Sequence, residues 1–312
     1  MLVGVGDDAS VVRCNGVCVT SVDAMVDGVH FRLGEGLAGP AEIGRRALAG
    51  ALSDLAAMGA DPGEAYIVLA LPPGFSERRA LELIRGALAL AGETHTTIAG
   101  GDVVASPTLT VSVTAVGWAA NHEDLVLRSG ARAGDLVGVT GTLGAPAAAL
   151  AVTEGSLQGG DAGALPPVGR RALERSRSPI PRLREGRILA ENGAHAMIDL
   201  SDGLASDAAR LAEAGGVRLA IELAALPLGP DVEEVAARLG IPPWRLAASG
   251  GEDYELLFCV DPSAREQLQE QLGAPGAAGV SWIGGVLVGP PGVELRDERG
   301  DAVTLEGYEH RW

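Results

Sequence analysis

Acidic residues in this chain fall repeatedly at corners flanked by glycine: Gly6-Asp7-Asp8, Gly100-Gly101-Asp102, Asp199-Leu200-Ser201-Asp202-Gly203 and Gly250-Gly251-Glu252-Asp253. Asp23 and Asp54 each end an apolar stretch. A chain written this way folds into many short elements whose ends carry carboxylates into loops. Hard cations such as Mg²⁺ take oxygen ligands and bind through a few carboxylates, their own waters and substrate phosphates, so the pattern predicts a multi-metal phosphate site.

An absence narrows the chemistry further. All 24 basic residues counted as Lys+Arg are arginines, and the chain has no lysine. A Walker A loop needs its lysine on the β/γ-phosphates, a protein kinase needs the lysine of its third strand, and Schiff-base chemistry needs an amine. If nucleotide phosphates are handled here, metal ions, arginine and backbone N–H groups must neutralise them.

At 312 residues the chain suits two domains of ordinary size, and apolar content of 47% with 3% aromatic residues predicts cores of Ala, Val, Leu and Ile. A net charge of −17 argues against nucleic-acid binding, which relies on basic patches to release counterions. Met1-Leu2-Val3-Gly4 lacks the basic and apolar regions of a signal peptide, and apolar runs elsewhere are broken by Gly, Asp or Arg, so no membrane contact is expected and a cytoplasmic enzyme is. Three cysteines make no disulfide framework, and Cys14 and Cys18 flank Asn15-Gly16 with no second Cys/His pair to complete a zinc site.

Val11-Val12-Arg13-Cys14, Asn15-Gly16 and Val17 to Asp23 read as a hairpin whose second strand ends at Asp23. Pro40 opens a helix from Ala41 to Met58, stopped by Gly59 and Pro62; Ala65 to Leu71 is a buried strand. Ser76 caps a helix through about Ala91, Thr96 to Ala99 leads into Gly100-Gly101-Asp102, and Leu109 to Trp118 alternates as a strand. Later strands are expected at 135–140, 196–200, 219–223, 255–260, 280–283 and 293–295, with helices at 145–152, 182–192, 203–214, 232–239 and 263–272. Residues 155–163 read as a polar loop. The fold class is α/β or α+β, in two consecutive domains, 1–124 and 125–312.

Several of these motifs have an ordinary alternative. Gly6-Asp7-Asp8 could be a turn, Asp199 and Asp202 could belong to a helix cap formed by Ser201 or Asp202, and His30 could be a structural hydrogen-bonder. Asp54 is harder to dismiss, because an acid in a small, apolar helix faces a desolvation cost unless it is paired or metal-bound. In Gly250-Gly251-Glu252-Asp253-Tyr254-Glu255 three acids in four positions would repel one another without a cation or a hydrogen-bonding substrate. Arg128 offers a bidentate cation suited to a phosphate.

Taken in order, Gly6-Asp7-Asp8, the Asp54 helix, Gly100-Gly101-Asp102, Asp199-Leu200-Ser201-Asp202-Gly203 and Ser249-Gly250-Gly251-Glu252-Asp253-Tyr254-Glu255-Leu256 resemble the thiamine-monophosphate kinase family. That family belongs to an ATP-binding superfamily with aminoimidazole ribonucleotide synthetase, selenophosphate synthetase and the hydrogenase maturation protein HypE. The resemblance extends over nearly the whole chain, down to Gly307-Tyr308-Glu309-His310. It implies a two-domain aminoimidazole ribonucleotide synthetase-like fold, with an N-terminal domain contributing to a dimeric β-barrel, a C-terminal α/β domain, and ATP bound without a P-loop. By the same resemblance Asp8, Ser21, Asp23, Asp54, Asp102, Asp199 and Asp202 match Mg²⁺-binding positions. Gly101, Asp102, Arg128 and Ser201 match ATP contacts, and His30, Glu252 and Tyr308 lie near the thiamine phosphate.

The implied reaction moves the γ-phosphoryl group of ATP to thiamine monophosphate, with several Mg²⁺ ions, in a homodimer. No general base is assigned, because the acceptor phosphate, with a second pKa of about 6, is already ionised. Two features depart from the family. Val22 stands where threonine is usual, and the chain starts a few residues before Gly6 where a helical leader is usual, so either the start is misassigned or a piece that could help close the site is missing. Rival readings fit less well: selenophosphate synthetase calls for a reactive Cys in an early glycine-rich loop, and HypE for a Cys-ending tail, whereas this chain ends His310-Arg311-Trp312. A non-catalytic nucleotide-binding relative is opposed by acids at every matched position.

Overall fold

Pro40 presets φ for a first helical turn and lacks the N–H that would go unpartnered there; from it α1 runs Pro40–Ala57. Glu42 closes the start by accepting the Gly39 N–H at 2.6 Å. The structure, a computed structural model, describes residues 12–13, 16–34, 38–153 and 167–305. It divides into two compact units, the first reaching Leu125 and taking in Arg177–Leu183, the second holding Val126–Ser176 and the chain from Arg184 onward.

The first unit adds β1 (Val17–Val26), β2 (Asp61–Leu71), α2 (Glu77–Glu93), β3 (Thr97–Ala105) and β4 (Thr110–Ala119). The sheet order is β1-β4-β2-β3, with β4 antiparallel to both neighbours and β2 parallel to β3. In β4, Val111, Val113 and Ala115 are buried in a core with Ile43, Leu48, Leu52 and Leu55 of α1 and Leu83 and Leu90 of α2. The intervening Thr110, Ser112 and Thr114 are half-buried, as a period of two dictates. Ser76 caps α2 as expected, accepting the Arg79 N–H at 3.4 Å. Where α1 and α2 cross, a Cβ on Gly44 would stand 1.9 Å from the Leu83 carbonyl oxygen, and one on Gly86 would stand 1.8 Å from that of Ala41. The two glycines let the helix backbones touch.

Three expectations are corrected here. β1 does not end at Asp23: its ladder with β4 continues from Val17↔Ala119 to Val26↔Thr110, and that ladder, spanning all ten residues, sets its length. Its partner is β4, while Val12 and Arg13 carry no strand and Cys14 and Asn15 lie outside the described residues. Gly100-Gly101-Asp102 is not a corner after a strand but lies inside β3, paired with Tyr66, Ile67 and Val68. A Cβ on Gly101 would stand 2.0 Å from the Ile67 carbonyl oxygen, so glycine serves close strand approach there. Pro62, read as a stop signal, lies within β2 beside its register shift, where a missing N–H is tolerated.

The second unit contains β5 (Leu136–Thr140), α3 (Ala145–Thr153), α4 (Pro167–Arg177), α5 (Leu183–Glu191), β6 (Ala194–Asp199), α6 (Leu204–Gly215) and β7 (Arg218–Glu222), α4 and α5 each meeting the segment that joins the first unit. It continues with α7 (Pro230–Leu239), α8 (Pro243–Ser249), β8 (Leu256–Val260), α9 (Arg265–Leu272), β9 (Val280–Leu287), β10 (Gly292–Arg296) and β11 (Ala302–Val303). Seven strands form one sheet in the order β11-β10-β7-β9-β5-β8-β6, antiparallel except for β10 with β7. Leu204, Ala208, Leu211 and Ala212 of α6 pack on Val137, Val139, Ile198, Leu219 and Ile221 of the sheet. A smaller cluster joins α3, α4 and α7 through Ala148, Val152, Ala172, Val232 and Val235. The sequence reading lacked α4, α8 and β11, and the loop it placed at 155–163 lies outside the described residues. Among the described residues no helix is long and apolar enough to cross a membrane.

Candidate active site

In the first unit the alternation of β1 turns Val19, Ser21, Asp23 and Met25 to the side of α1 and leaves Val22 exposed. Ser21 is thereby opposite Asp54, and its hydroxyl donates to Asp54 Oδ2. Asp54 sits between fully buried Ser53 and Leu55, so the demand that this acid find a partner is met. Asp23 Oδ1 accepts the Ala24 N–H at 2.7 Å, and Asp102 Oδ1 accepts the Val103 N–H at 2.8 Å, the same local bond in two strands. His30 Nδ1 accepts the Val26 N–H at 3.1 Å, so the neutral ring carries its proton on Nε2.

Asp23, Val113, Ile67 and Gly101 form one row across the sheet, with Asp102 next after Gly101. Among the described residues β1 and β3 are its two edges, and three strand spacings of about 4.8 Å put roughly 14 Å between the strands of Asp23 and Asp102.

In the second unit β6 ends at Asp199, which is buried, and the following turn is stitched to the segment before β8. Leu200 N–H donates to the Glu255 carbonyl at 2.8 Å, Tyr254 N–H to that of Leu200 at 2.9 Å, and Glu252 N–H to that of Ser201 at 2.8 Å. Glu252 and Tyr254 hold left-handed φ of 67° and 51°, a strained backbone of about 1–3 kcal/mol each that the ladder over-determines. A Cβ on Gly251 would stand 2.4 Å from the Ser201 carbonyl, which explains the glycine.

The same segment carries two more acids, Asp253 and Glu255. Glu255 accepts the Thr140 hydroxyl at 2.7 Å, and Asp253 accepts the Gly144 N–H at 2.9 Å. Burial holds the Asp253 carboxyl well above the usual range, against the Gly144 hydrogen bond that lowers it, and the charges of Glu255 and Glu252 add to the rise.

The expected cap of α6 by Ser201 or Asp202 is also corrected. Gly203 is the N-cap and offers no side-chain bond. Instead Asp207, in the first turn, reaches back and accepts the N–H of Ser201 at 3.1 Å and of Asp202 at 3.0 Å. Burial pushes Asp207 up to about 6 despite those bonds and Arg210, which also pairs with Asp202 at 2.5 Å. Asp207 and Arg210 were not singled out in the sequence; their signal was an acid five residues after Asp202 with an arginine three further on. Arg128 is exposed and opens a short 3-10 turn, Arg128–Gly130, held beside β6 by the bond from Met197 N–H to the Leu127 carbonyl at 3.3 Å.

The structure thus joins Ser21 with Asp54 in one unit, and Ser201, Asp202 and Glu252 in the other. Among the described residues no three His, Cys, Asp or Glu side chains gather as a metal centre. Asp8 and Tyr308 lie outside the described residues.

Residues 6–119 match the family described as AIR synthase related protein, N-terminal domain, and residues 132–297 match its C-terminal domain. The thiamine-monophosphate kinase of Mycobacterium tuberculosis (strain H37Rv) is 37% identical over 300 residues, covering 96% of this chain and 83% of the relative. That of Escherichia coli (strain K12) is 37% identical over 317 residues, covering 98% and 91%. The chain belongs to the thiamine-monophosphate kinase family.

The crystal structure of the Stenotrophomonas maltophilia K279a member has a TM-score of 0.81 at 32% identity, covering 97% of this chain and 92% of that one. The structure of AaThiL complexed with AMPPCP and TMP has a TM-score of 0.82 at 29% identity, covering 98% and 92%. E. coli HypE, at 22% identity and a TM-score of 0.76, shares the fold. Within the family, then, the two AIR synthase-like domains correspond to a mixed α/β architecture in both units.

Proposed function

We propose that the chain is a thiamine-phosphate kinase, which transfers the γ-phosphoryl group of ATP to thiamine monophosphate and yields thiamine diphosphate and ADP. The observation that carries this reading is the likeness, over 98% of the chain, to AaThiL complexed with the ATP analogue AMPPCP and TMP. Phosphoryl transfer is mostly positioning and charge neutralisation, and the acceptor oxygen is ionised near neutral pH, so no side chain has to remove a proton.

With no lysine in the chain, Arg128 supplies a positive charge to ATP, aided by Gly101, Asp102 and Ser201, while N–H groups at the start of α6 face phosphate. His30, with Nε2–H as donor, Glu252 and Tyr308 serve the thiamine phosphate. The remaining donor set, Asp8, Ser21, Asp23, Asp54, Asp102, Asp199 and Asp202, is all oxygen, as Mg²⁺ requires, and two of its members, Ser21 and Asp54, are hydrogen-bonded neighbours. When bound, Mg²⁺ supplies screening between two anionic reactants.

A homodimer fits the first unit. Val22 is 68%, Val103 62%, Val104 43% and Val68 39% exposed on its four-stranded sheet. Closing two such sheets into a barrel would cover the face that carries Val22, Val68 and Val104 and pair the edges. Cytoplasmic location and the domains 1–124 and 125–312 complete the reading.

The test is ADP release with Mg²⁺, ATP and thiamine monophosphate, and none with free thiamine. Asp102→Asn and Asp202→Asn should each lose most turnover with unchanged circular dichroism. ADP formation indifferent to the acceptor would refute the assignment, and full activity in both variants would refute the metal positions.

A further inference from the structure

The turn from Asp199 to Gly203 is held on three sides. β6 leads into it, the ladder from Glu252 and Tyr254 borders it, and the third support comes from inside α6. Asp207 Oδ2 takes the N–H groups of Ser201 and Asp202 together, at 3.1 and 3.0 Å. Its Oδ1 takes Arg210 Nη1 at 2.6 Å, and that same nitrogen reaches Asp202 Oδ2 at 2.5 Å. Asp207 is fully buried. A carboxylate taken wholly out of water is costly unless its oxygens are bonded, and both oxygens here are. Its place in the first helical turn also suits the helix dipole.

The geometry points to Asp207 as the positioning residue of the Asp199–Asp202 turn: it sets where the Ser201 and Asp202 backbones stand and, through Arg210, where the Asp202 carboxylate stands. It touches neither ion nor substrate. This rests on the reading of the turn as a place for metal and phosphate, and it assigns a residue that reading did not include. A helix cap with no further consequence would leave metal affinity alone; a positioning residue would not. Outer partners of metal ligands typically change metal affinity or activity by about 10–100-fold when removed.

The experiment compares the full-length protein with Asp207→Ala and Asp207→Asn. Free Mn²⁺ is followed by electron paramagnetic resonance, turnover by ADP release, and amide hydrogen exchange at Ser201 and Asp202 by NMR. In Asp207→Ala, Mn²⁺ affinity and kcat should fall by about 10-fold or more while the KM for thiamine monophosphate stays near that of the parent, and both amides should exchange about 10-fold faster. Asp207→Asn keeps an oxygen that can accept both N–H groups but offers Arg210 an NH2 in place of an acceptor, so it should recover most of the exchange protection and only part of the Mn²⁺ affinity. It also serves if the alanine variant fails to fold. Parental Mn²⁺ affinity, turnover and amide exchange in a folded Asp207→Ala protein would overturn the proposal. If the parent itself showed no thiamine-monophosphate kinase activity, the functional reading would fall, and the exchange rates would still decide the positioning role.

Discussion

Replacing Gly44 with alanine adds one methyl group at the crossing of α1 and α2, and the structure leaves it nowhere to go. The new Cβ would lie 1.9 Å from the Leu83 carbonyl oxygen and 2.8 Å from its carbonyl carbon, where contacts under 3.0 Å essentially never occur. The helices must therefore part by at least 3.0 − 1.9 = 1.1 Å at that point. Ile43, Leu48, Leu83 and Leu90, all fully buried, fill the same crossing. A gap of 0.5–1 Å already forfeits roughly a quarter to a half of a contact's attraction, and overpacking of this kind costs about 1–3 kcal/mol.

Since the obstacle is backbone, the upper end applies, and the gain of about 1 kcal/mol from better helix propensity offsets part of it. The net expectation is about 2 kcal/mol of destabilisation. Gly92 is the control: it lies in the same α2 with nothing within 4 Å, so Gly92→Ala should stabilise by about 0.5–1 kcal/mol. Because the chain has two units, hydrogen exchange of α1 and β4 amides against urea reads the first unit separately. A Gly44→Ala protein as stable as its parent would refute the claim that glycine is there for backbone contact.

Asp253 gives a pH-dependent expectation. Its folded pKa is raised, so the fold favours the protonated carboxyl, and its destabilising effect is present above the folded value and relieved as pH falls through it toward the unfolded value of about 3.9. Asp253→Asn should therefore be more stable than the parent at pH 8, with the advantage shrinking on acidification in urea titrations; a constant or reversed difference would contradict the burial argument. Cys259 is fully buried, and burial, with Asp135 nearby, pushes its thiol up to about 12. Iodoacetamide at pH 8 should modify exposed Cys18 and spare Cys259 until the protein is denatured, as read by peptide mass mapping; rapid native labelling of Cys259 would show that the second core opens.

Elements marked by local chemistry were legible in the sequence. Pro40 and Ser76 announced α1 and α2, and the alternation of β4 announced a one-sided strand, because each signal acts within a few residues. Signals that depend on a distant partner misled. Gly100-Gly101-Asp102 looked like a corner because glycine and aspartate favour turns, but Gly101 is small for the sake of Ile67, a residue on another strand. Asp202 looked like a helix cap, and the bond that matters runs the other way, from its backbone N–H to Asp207. α8 is seven residues long between prolines and turn signals, too short for a helical period to show.

The candidate site shows the same division more sharply. Residue type and spacing mark Asp54 as an acid that needs a partner, since a carboxylate in a small, apolar helix is costly alone, and Ser21 supplies one. Spatial order is a separate matter, decided by strand order. Asp23 and Asp102 sit in strands that look equivalent along the chain, yet the order β1-β4-β2-β3 sends them to opposite edges of one sheet. Ser21 and Asp54, which look unrelated, are in contact because β1 lies against α1. The homodimer proposed from the family resemblance would pair β1 of one copy with β3 of another, so that strands held apart within a copy become neighbours between copies. Monomeric protein with full kinase activity would break that inference while leaving the Ser21–Asp54 contact intact.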